Sequence, residues 1–135
     1  MQYDEFIGQV QHQAHLASRE DAVRAIRATL ETLGERLFGN EADHLAAQLP
    51  REIAYYLTNA RQRESFGLDE FFQRVQEREG VSVELPEAIY HARVVLSVLQ
   101  DAVSPGEIAD IRAQLPHEFQ PIFDARAEGA LPRVG

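Results

Sequence analysis

The stretch that decides the fold is Asp4-Glu5-Phe6-Ile7-Gly8-Gln9-Val10-Gln11, because it returns as Asp69-Glu70-Phe71-Phe72-Gln73-Arg74-Val75-Gln76. A second pair follows the same plan, since Ala47-Gln48-Leu49-Pro50-Arg51-Glu52-Ile53 returns as Ala113-Gln114-Leu115-Pro116-His117-Glu118-Phe119. The two offsets are 65 and 66 positions. A repeat at nearly constant spacing predicts similar structural units. We therefore expect a pseudo-symmetric molecule built from two repeats.

Apolar residues at spacings of three and four predict amphipathic helices throughout both repeats. The longest helices are predicted at about residues 19–37 and 86–102, and we expect them to pack against each other. Ser18 and Ser104 suit N-cap positions, since each is followed three residues later by an acid. Pro105 then suits the first position of a helix, where its missing N–H costs nothing.

The sequence thus predicts an all-α protein with about eight helices. These form two pseudo-symmetric repeats of about four helices each, at about residues 3–58 and 68–125. One repeat alone would be marginally stable, so we expect both to share one core in a single domain of residues 1–126. Residues 127–135 have little to bury and are predicted to be a flexible tail.

Composition excludes several kinds of function. The 135-residue chain has no cysteine, which excludes disulfides, thiolate catalysis and cysteine-ligated metals. Its net charge of −9 opposes binding to nucleic acid and to anionic membranes. No apolar run approaches the roughly 18 residues of a membrane span, and the acidic start lacks a signal-peptide pattern. We expect a cytoplasmic protein that needs no cofactor and binds neither nucleic acid nor membrane.

The sequence resembles the DUF2267 family of bacteria and archaea. The resemblance is carried by the two Asp-Glu-Phe openings, by both Ala-Gln-Leu-Pro stretches, by Leu30-Glu31-Thr32-Leu33-Gly34-Glu35-Arg36-Leu37 and by Glu87-Ala88-Ile89-Tyr90-His91-Ala92-Arg93-Val94-Val95-Leu96. It covers about residues 2–125. It implies an all-helical protein of uncharacterised function, with no catalytic residues to carry over.

Three residues of the long helices are candidates for a ligand site. Arg27 and Arg93 occupy equivalent repeat positions, and His91 is flanked by Tyr90 and Arg93. Histidine near an apolar face can act as a switch or a base, and arginine can hold an anion. The alternative, which we favour, is structural: Arg27 and Arg93 would pair with glutamates after the two Leu-Pro steps, Glu52 and Glu118, and His91 would lie at the core boundary.

His12 and His15 are weak candidates for a metal site. They stand three residues apart on the first predicted helix, so both could reach one ion. Zinc needs at least a third protein ligand, which Glu5, Asp21 or His44 would supply only if the fold brought one of them close. Solvated helix surface is the favoured interpretation, and no metal is expected.

Two aromatic pairs, Tyr55-Tyr56 and Phe71-Phe72, complete the candidates. Adjacent helical residues face different directions, so we expect one member of each pair in the core and the other available for a partner. The serines lie in no nucleophile motif. The favoured function is a non-enzymatic cytoplasmic interaction module that binds a protein or a second copy through a groove or patch between the repeats. The alternative is a small-ligand protein or enzyme with a site between the long helices.

Overall fold

The computed structural model describes residues 1–60 and 63–124, in which helices and loops occur and no strand does. The helices are α1 Tyr3–Gln13, α2 Arg19–Arg36, α3 Glu41–Ala46, α4 Arg51–Thr58, α5 Leu68–Glu79, α6 Leu85–Ala102, α7 Pro105–Gln114 and α8 Gln120–Asp124, with a 3₁₀ turn His117–Phe119 before α8. The predicted all-α class and the number of helices are confirmed within these residues.

The order of the elements follows the sequence repeat, since a long second helix and shorter third and fourth elements recur in each segment. The spatial pseudo-symmetry of the two repeats stays a prediction. The predicted tail at residues 127–135 lies outside the described residues. None of the helices in residues 1–60 and 63–124 combines the length and the apolarity that crossing a bilayer requires.

Two helix starts follow the local rules of capping. The Ser18 hydroxyl accepts a hydrogen bond from the N–H of Asp21 at 3.1 Å. The Ser104 hydroxyl accepts one from the N–H of Glu107 at 3.3 Å. Each serine satisfies one of the backbone donors that the first helical turn leaves free. Both predicted N-caps are therefore confirmed.

The long helix of the second segment begins differently from the prediction. It starts at Leu85, one residue before Pro86, because Glu84 acts as the N-cap and forms a capping box with Glu87. Pro86 still lies in the first turn, where its missing N–H removes no helical hydrogen bond. Pro50 occupies the N-cap position of α4, just outside the helix, with a ψ of 145°.

The two long helices, α2 and α6, form the centre of the molecule and pack on each other as expected. α2 also contacts α1, α4 and α5, and α6 also contacts α1, α5 and α8. The approach of α4 to α2 depends on Gly34, because a Cβ there would lie 2.3 Å from the carbonyl oxygen of Leu57. The largest fully buried side chains include Phe6, Phe71, Phe119, Phe123, Ile26 and Leu30.

The aromatic pairs differ in their outcome. Tyr55 is 60% exposed and Tyr56 is half-buried against the core, so the first pair has one exposed member, as predicted, and a second at the core boundary rather than inside it. Phe71 and Phe72 are both buried, so the expectation of one exposed member is wrong for the second pair. α5 packs against both α2 and α6, and the two partners cover two sides of the helix.

Candidate functional site

α2 and α5 pack side by side and join the two repeat segments. The end of α2 lies beside the start of α5, because Nε of Arg36 donates to the carbonyl oxygen of Phe66 at 2.7 Å. The start of α2 lies beside the end of α5, where Glu20 and Glu79 line one cavity. The helices therefore run in opposite directions. Their exposed edges form a groove whose lining residues, apart from Val23, are polar or charged.

The groove is held by arginines of α5 that bind acids of α2. Nη2 of Arg78 donates to Oε2 of Glu35 at 2.6 Å, and Nη1 donates to the Thr32 hydroxyl at 2.7 Å. Nε of Arg78 lies 3.5 Å from Oε1 of Glu31. Glu35 also accepts from Nη1 of Arg74 at 3.1 Å. Burial raises the pKa of Glu35, but the hydrogen bonds and charges of Arg78 and Arg74 outweigh it, so this pKa lies below its usual value.

Arg74 is fixed on several sides. It donates to Glu70, one helical turn earlier, and to Glu64 at 3.4 Å in the loop before α5. Its guanidinium also lies 4.0 Å from the ring centroid of Phe66, a buried residue of the same loop. Every basic side chain apart from histidine in this chain is an arginine. The planar, multiply donating guanidinium suits such bridges better than lysine does.

The groove contains two adjoining cavities that share Arg78. One has a volume of about 550 Å³ and lies towards the start of α5. The other has a volume of about 430 Å³ and lies towards its end. We call the two together the α2–α5 groove, lined by Glu20, Val23, Arg24, Arg27, Glu31 and Glu35 of α2 and by Glu70, Gln73, Arg74, Glu77, Arg78 and Glu79 of α5.

The smaller cavity has an unusual wall residue, Glu79. Its side chain is only 2% exposed, and Nδ1 of His91 donates to its Oε2 at 2.8 Å. Its other oxygen, Oε1, is buried and accepts no hydrogen bond from the described residues. A buried carboxylate oxygen without a donor is costly, and this one belongs to a residue that lines the cavity.

The structure brings two of the three predicted ligand residues to this groove. Arg27 lines the smaller cavity directly. His91 is buried and reaches the cavity through its hydrogen bond to Glu79. Arg93 is not among the lining residues, and its Nε is buried without a hydrogen-bond partner among the described residues.

The predicted Arg27–Glu52 pair is wrong. Nε of Arg27 donates instead to Oε2 of Glu31 at 3.2 Å, because that acid lies one turn along the same helix, whereas Glu52 is exposed on α4. Within the described residues, Arg93 and Glu118 form no ion pair either. Glu118 lies near the buried guanidinium of Arg36 instead. Burial lowers the pKa of Arg36, and the negative charge of Glu118 opposes that shift.

His12 and His15 lie near the end of α1. Both are exposed, and they line a surface cavity of about 460 Å³ together with Gly8, Gln11 and Leu16. His15 has a φ of 56°, just beyond the end of the helix. Within residues 1–60 and 63–124, three potential metal ligands converge at one place, and neither His12 nor His15 is among them.

Sequence reasoning missed the residues that shape the groove. Glu31 and Glu35 are spaced by four, and so are Arg74 and Arg78, so each pair occupies one face of its helix. That spacing was the available signal for ion pairs across a helix interface. No comparable signal existed for Glu79, which looks like any acid near the end of a polar helix.

Comparison with known proteins identifies the family and leaves the activity open. The model of the family DUF2267, described as an uncharacterized conserved protein, matches residues 3–122. No curated protein matches the chain. Because the family match spans nearly all of the helical body just described, the chain belongs to the DUF2267 family.

Proposed function

We propose that this protein is a non-enzymatic binding module whose binding surface is the α2–α5 groove. The observation that carries the proposal is Glu79, which lines a 430 Å³ cavity and whose buried Oε1 has no donor among the described residues. That volume falls within the usual range of small-molecule sites. The groove lies between the two repeat segments, where the sequence led us to expect the binding surface.

The charges of the cavity define the class of ligand. Glu20, Glu31 and Glu79 face Arg24, Arg27 and Arg78, so the lining is balanced between acids and arginines. A simple anion would be repelled by the glutamates, and a simple cation by the arginines. A zwitterion matches both, with its ammonium donating to Glu79 and its carboxylate accepting from arginine. The proposed ligand class is therefore a free α-amino acid or a similar small zwitterion.

The arginines can exchange their present partners for such a ligand. Arg24 pairs with Asp21 at 3.2 Å and Arg27 pairs with Glu31 at 3.2 Å, each within its own helix. Exposed ion pairs of this kind contribute about 0–1 kcal/mol, so replacing them costs little. Glu79 has the opposite character, because His91 fixes one of its oxygens and the other has no donor among the described residues.

The lining supports binding more than catalysis. Its described residues include no serine, threonine, cysteine or tyrosine nucleophile, and four of its glutamates, Glu31, Glu35, Glu70 and Glu79, are paired with arginine or with His91. Among the described residues, the large apolar side chains that are exposed are Phe38, Tyr55 and Val81, and they come from three separate stretches of the chain. Single exposed apolar residues are ordinary on soluble proteins, so the groove is a stronger candidate than an apolar docking patch.

A cytoplasmic location stays part of the proposal, to be tested by cell fractionation.

The proposal is tested by thermal denaturation with each of the standard free amino acids as probe. A bound amino acid at about 100 times its Kd would raise the free energy of unfolding by about 2.7 kcal/mol. We expect at least one probe to raise Tm saturably in the native protein. Glu79→Gln, which can still accept but has no charge for an ammonium, should weaken that probe at least tenfold.

Arg112→Gln is the matched control, because Arg112 pairs with Asp124 on the far side of the second segment. It should leave the affinity of the probe unchanged. The proposal would be overturned if no amino acid raises Tm, or if Glu79→Gln and Arg112→Gln bind the probe equally well. Calorimetric titration of both variants gives the stoichiometry, which should be one ligand per chain.

A further inference from the structure

A second cluster of acids lies far from the groove, where α3 meets α7. Glu41 is the first residue of α3, His44 follows one turn later, and Glu107 lies in the first turn of α7. Potential ligand atoms of these three side chains all lie within 4.8 Å of one another. Glu41 and Glu107 occupy equivalent positions of the sequence repeat, 66 residues apart. The fold therefore brings corresponding acids of the two segments together.

The two carboxylates are poorly satisfied. Oε2 of Glu41 and Oε2 of Glu107 are both buried, and neither has a hydrogen-bond partner among the described residues. Glu107 as a whole is 7% exposed. Among the described residues, no arginine forms an ion pair with either acid. Buried acids are normally paired or bound to a metal, so both oxygens lack a partner that proteins usually provide.

The electrostatics of Glu107 agree with this geometry. Burial raises the pKa of the Glu107 carboxyl, and the charge of Glu41, a hydrogen bond that the protonated carboxyl makes to Glu41, and the charge of Asp110 raise it further. The side chain of His44 acts in the opposite direction. A positive charge placed between the acids would remove both the burial cost and the repulsion.

The positions of the acids at helix starts explain only part of the arrangement. The helix dipole favours an acid in the first turn, and this accounts for Glu41 and Glu107 one at a time. It does not account for two acids that face each other with buried, unpartnered oxygens. The competing explanation is a proton shared between the two carboxyls, which would satisfy one oxygen on each side.

We propose that Glu41, His44 and Glu107 bind one divalent transition-metal ion, with Zn²⁺ the best match. Two carboxylate oxygens and one imidazole nitrogen form a three-ligand set that leaves a fourth position for water. Ligands about 2.0–2.1 Å from zinc are roughly 3.4 Å from each other, so the side chains would close inward by about 1 Å. Asp110, which occupies the repeat position of His44, adds negative charge beside the site.

Metal binding here would connect the two segments of the chain. The same contact region already contains a hydrogen bond from the N–H of Ser104 to Oε1 of Gln48 at 2.7 Å. A metal bridge between α3 and α7 would add a stronger link, and a ligand that binds the folded state alone stabilises it by mass action. This inference is independent of the amino-acid site proposed for the groove.

The experiment is a titration of chelator-treated, full-length protein with zinc chloride, followed by calorimetry and by Tm. We expect one Zn²⁺ per chain and a saturable rise in Tm. Magnesium chloride should bind far more weakly, because Mg²⁺ prefers oxygen ligands and retains its water. His44→Asn, an exposed position, and Glu107→Gln should each reduce zinc affinity at least tenfold.

His12→Asn is the matched control, since His12 is likewise an exposed helical histidine. It should leave zinc affinity unchanged. Zinc binding that is absent, or that His12→Asn weakens while His44→Asn does not, would overturn the proposal. If Glu107→Gln fails to fold, His44→Asn with Glu41→Gln decides the outcome. A shared proton without a metal predicts no saturable zinc binding and would also refute the site.

Discussion

The ion pairs between α5 and α2 give the sharpest test of how the groove is built. The change is Arg78→Met, which keeps an unbranched stem and removes the guanidinium. It deletes the hydrogen bonds to Glu35 at 2.6 Å and to Thr32 at 2.7 Å, and the contact with Glu31 at 3.5 Å. The lost partners lie on α2, so the effect reports on the contact between the two segments.

The magnitude follows from partial burial. Hydrogen bonds to charged groups contribute about 1.5–3 kcal/mol, whereas exposed ion pairs contribute about 0–1 kcal/mol. The Arg78 and Glu35 side chains are 29% and 18% exposed, between these limits. We therefore expect Arg78→Met to lower the free energy of unfolding by about 1–2 kcal/mol, which for a chain of this size lowers Tm by about 3–8 °C.

The assay is thermal and urea denaturation followed by circular dichroism, as a double-mutant cycle with Glu35→Gln. The coupling should be about 1 kcal/mol at neutral pH. Because the folded-state pKa of Glu35 is lowered, its contribution is complete above the unfolded-state pKa. That contribution, and with it the coupling, should disappear as pH falls through the folded-state value.

Arg24→Met is the matched control on the same groove. Arg24 pairs with Asp21 within α2, and the two side chains are 47% and 39% exposed. Its loss should cost about 0.5 kcal/mol or less. If Arg78→Met is no more destabilising than Arg24→Met, or if Arg78 and Glu35 show no coupling, the α2–α5 ion pairs do not hold the groove together.

Three further predictions concern stability and use the same denaturation assays. Gly34→Ala should destabilise the protein by several kcal/mol, because the new Cβ would meet the Leu57 carbonyl oxygen. Gly8→Ala is the control, since a Cβ there meets nothing within 4 Å, and it should stabilise α1 by about 1 kcal/mol. Equal effects of the two substitutions would contradict the close packing of α2 and α4. Ser18→Ala should cost about 1 kcal/mol through the lost N-cap, and a neutral result would show that the cap contributes nothing. Glu107→Gln should stabilise the metal-free protein at neutral pH, because the folded-state pKa of Glu107 is raised and the stability of the wild type therefore falls as pH rises through that pKa. The gain in stability should vanish below the unfolded-state pKa. A loss of stability at neutral pH would show that the pKa of Glu107 is not raised in the folded state.

Parts of the candidate sites could be predicted from the sequence, and parts could not. Arg27 and His91 were singled out from the sequence; Arg27 lines the α2–α5 groove, and His91 reaches it through Glu79. Arg93 was grouped with them because it is equivalent to Arg27, but the equivalent position does not line the groove. Repeat position fixes which face of its own helix a residue occupies. It does not fix which neighbouring helix covers that face.

The sequence by itself determined the number of helices and the starts of two of them. Capping serines and apolar spacing act within a few residues, so Ser18 and Ser104 specify where α2 and α7 begin without reference to the rest of the chain. The all-α class follows from the same local signals, and the family follows from the ensemble of motifs. These features depend on short-range sterics and hydrogen bonds that the chain carries wherever it folds.

Only the tertiary structure decided which polar groups meet. Glu79 finds His91 and Glu41 finds Glu107 because pairs of helices dock at particular rotations about their axes. Phe72 is buried for the same reason, since α5 packs between two partners. A rotation that satisfies the whole apolar core at once is a property of all helices together. No local pattern specifies it, and the unpartnered carboxylate oxygens that mark both candidate sites are its consequence.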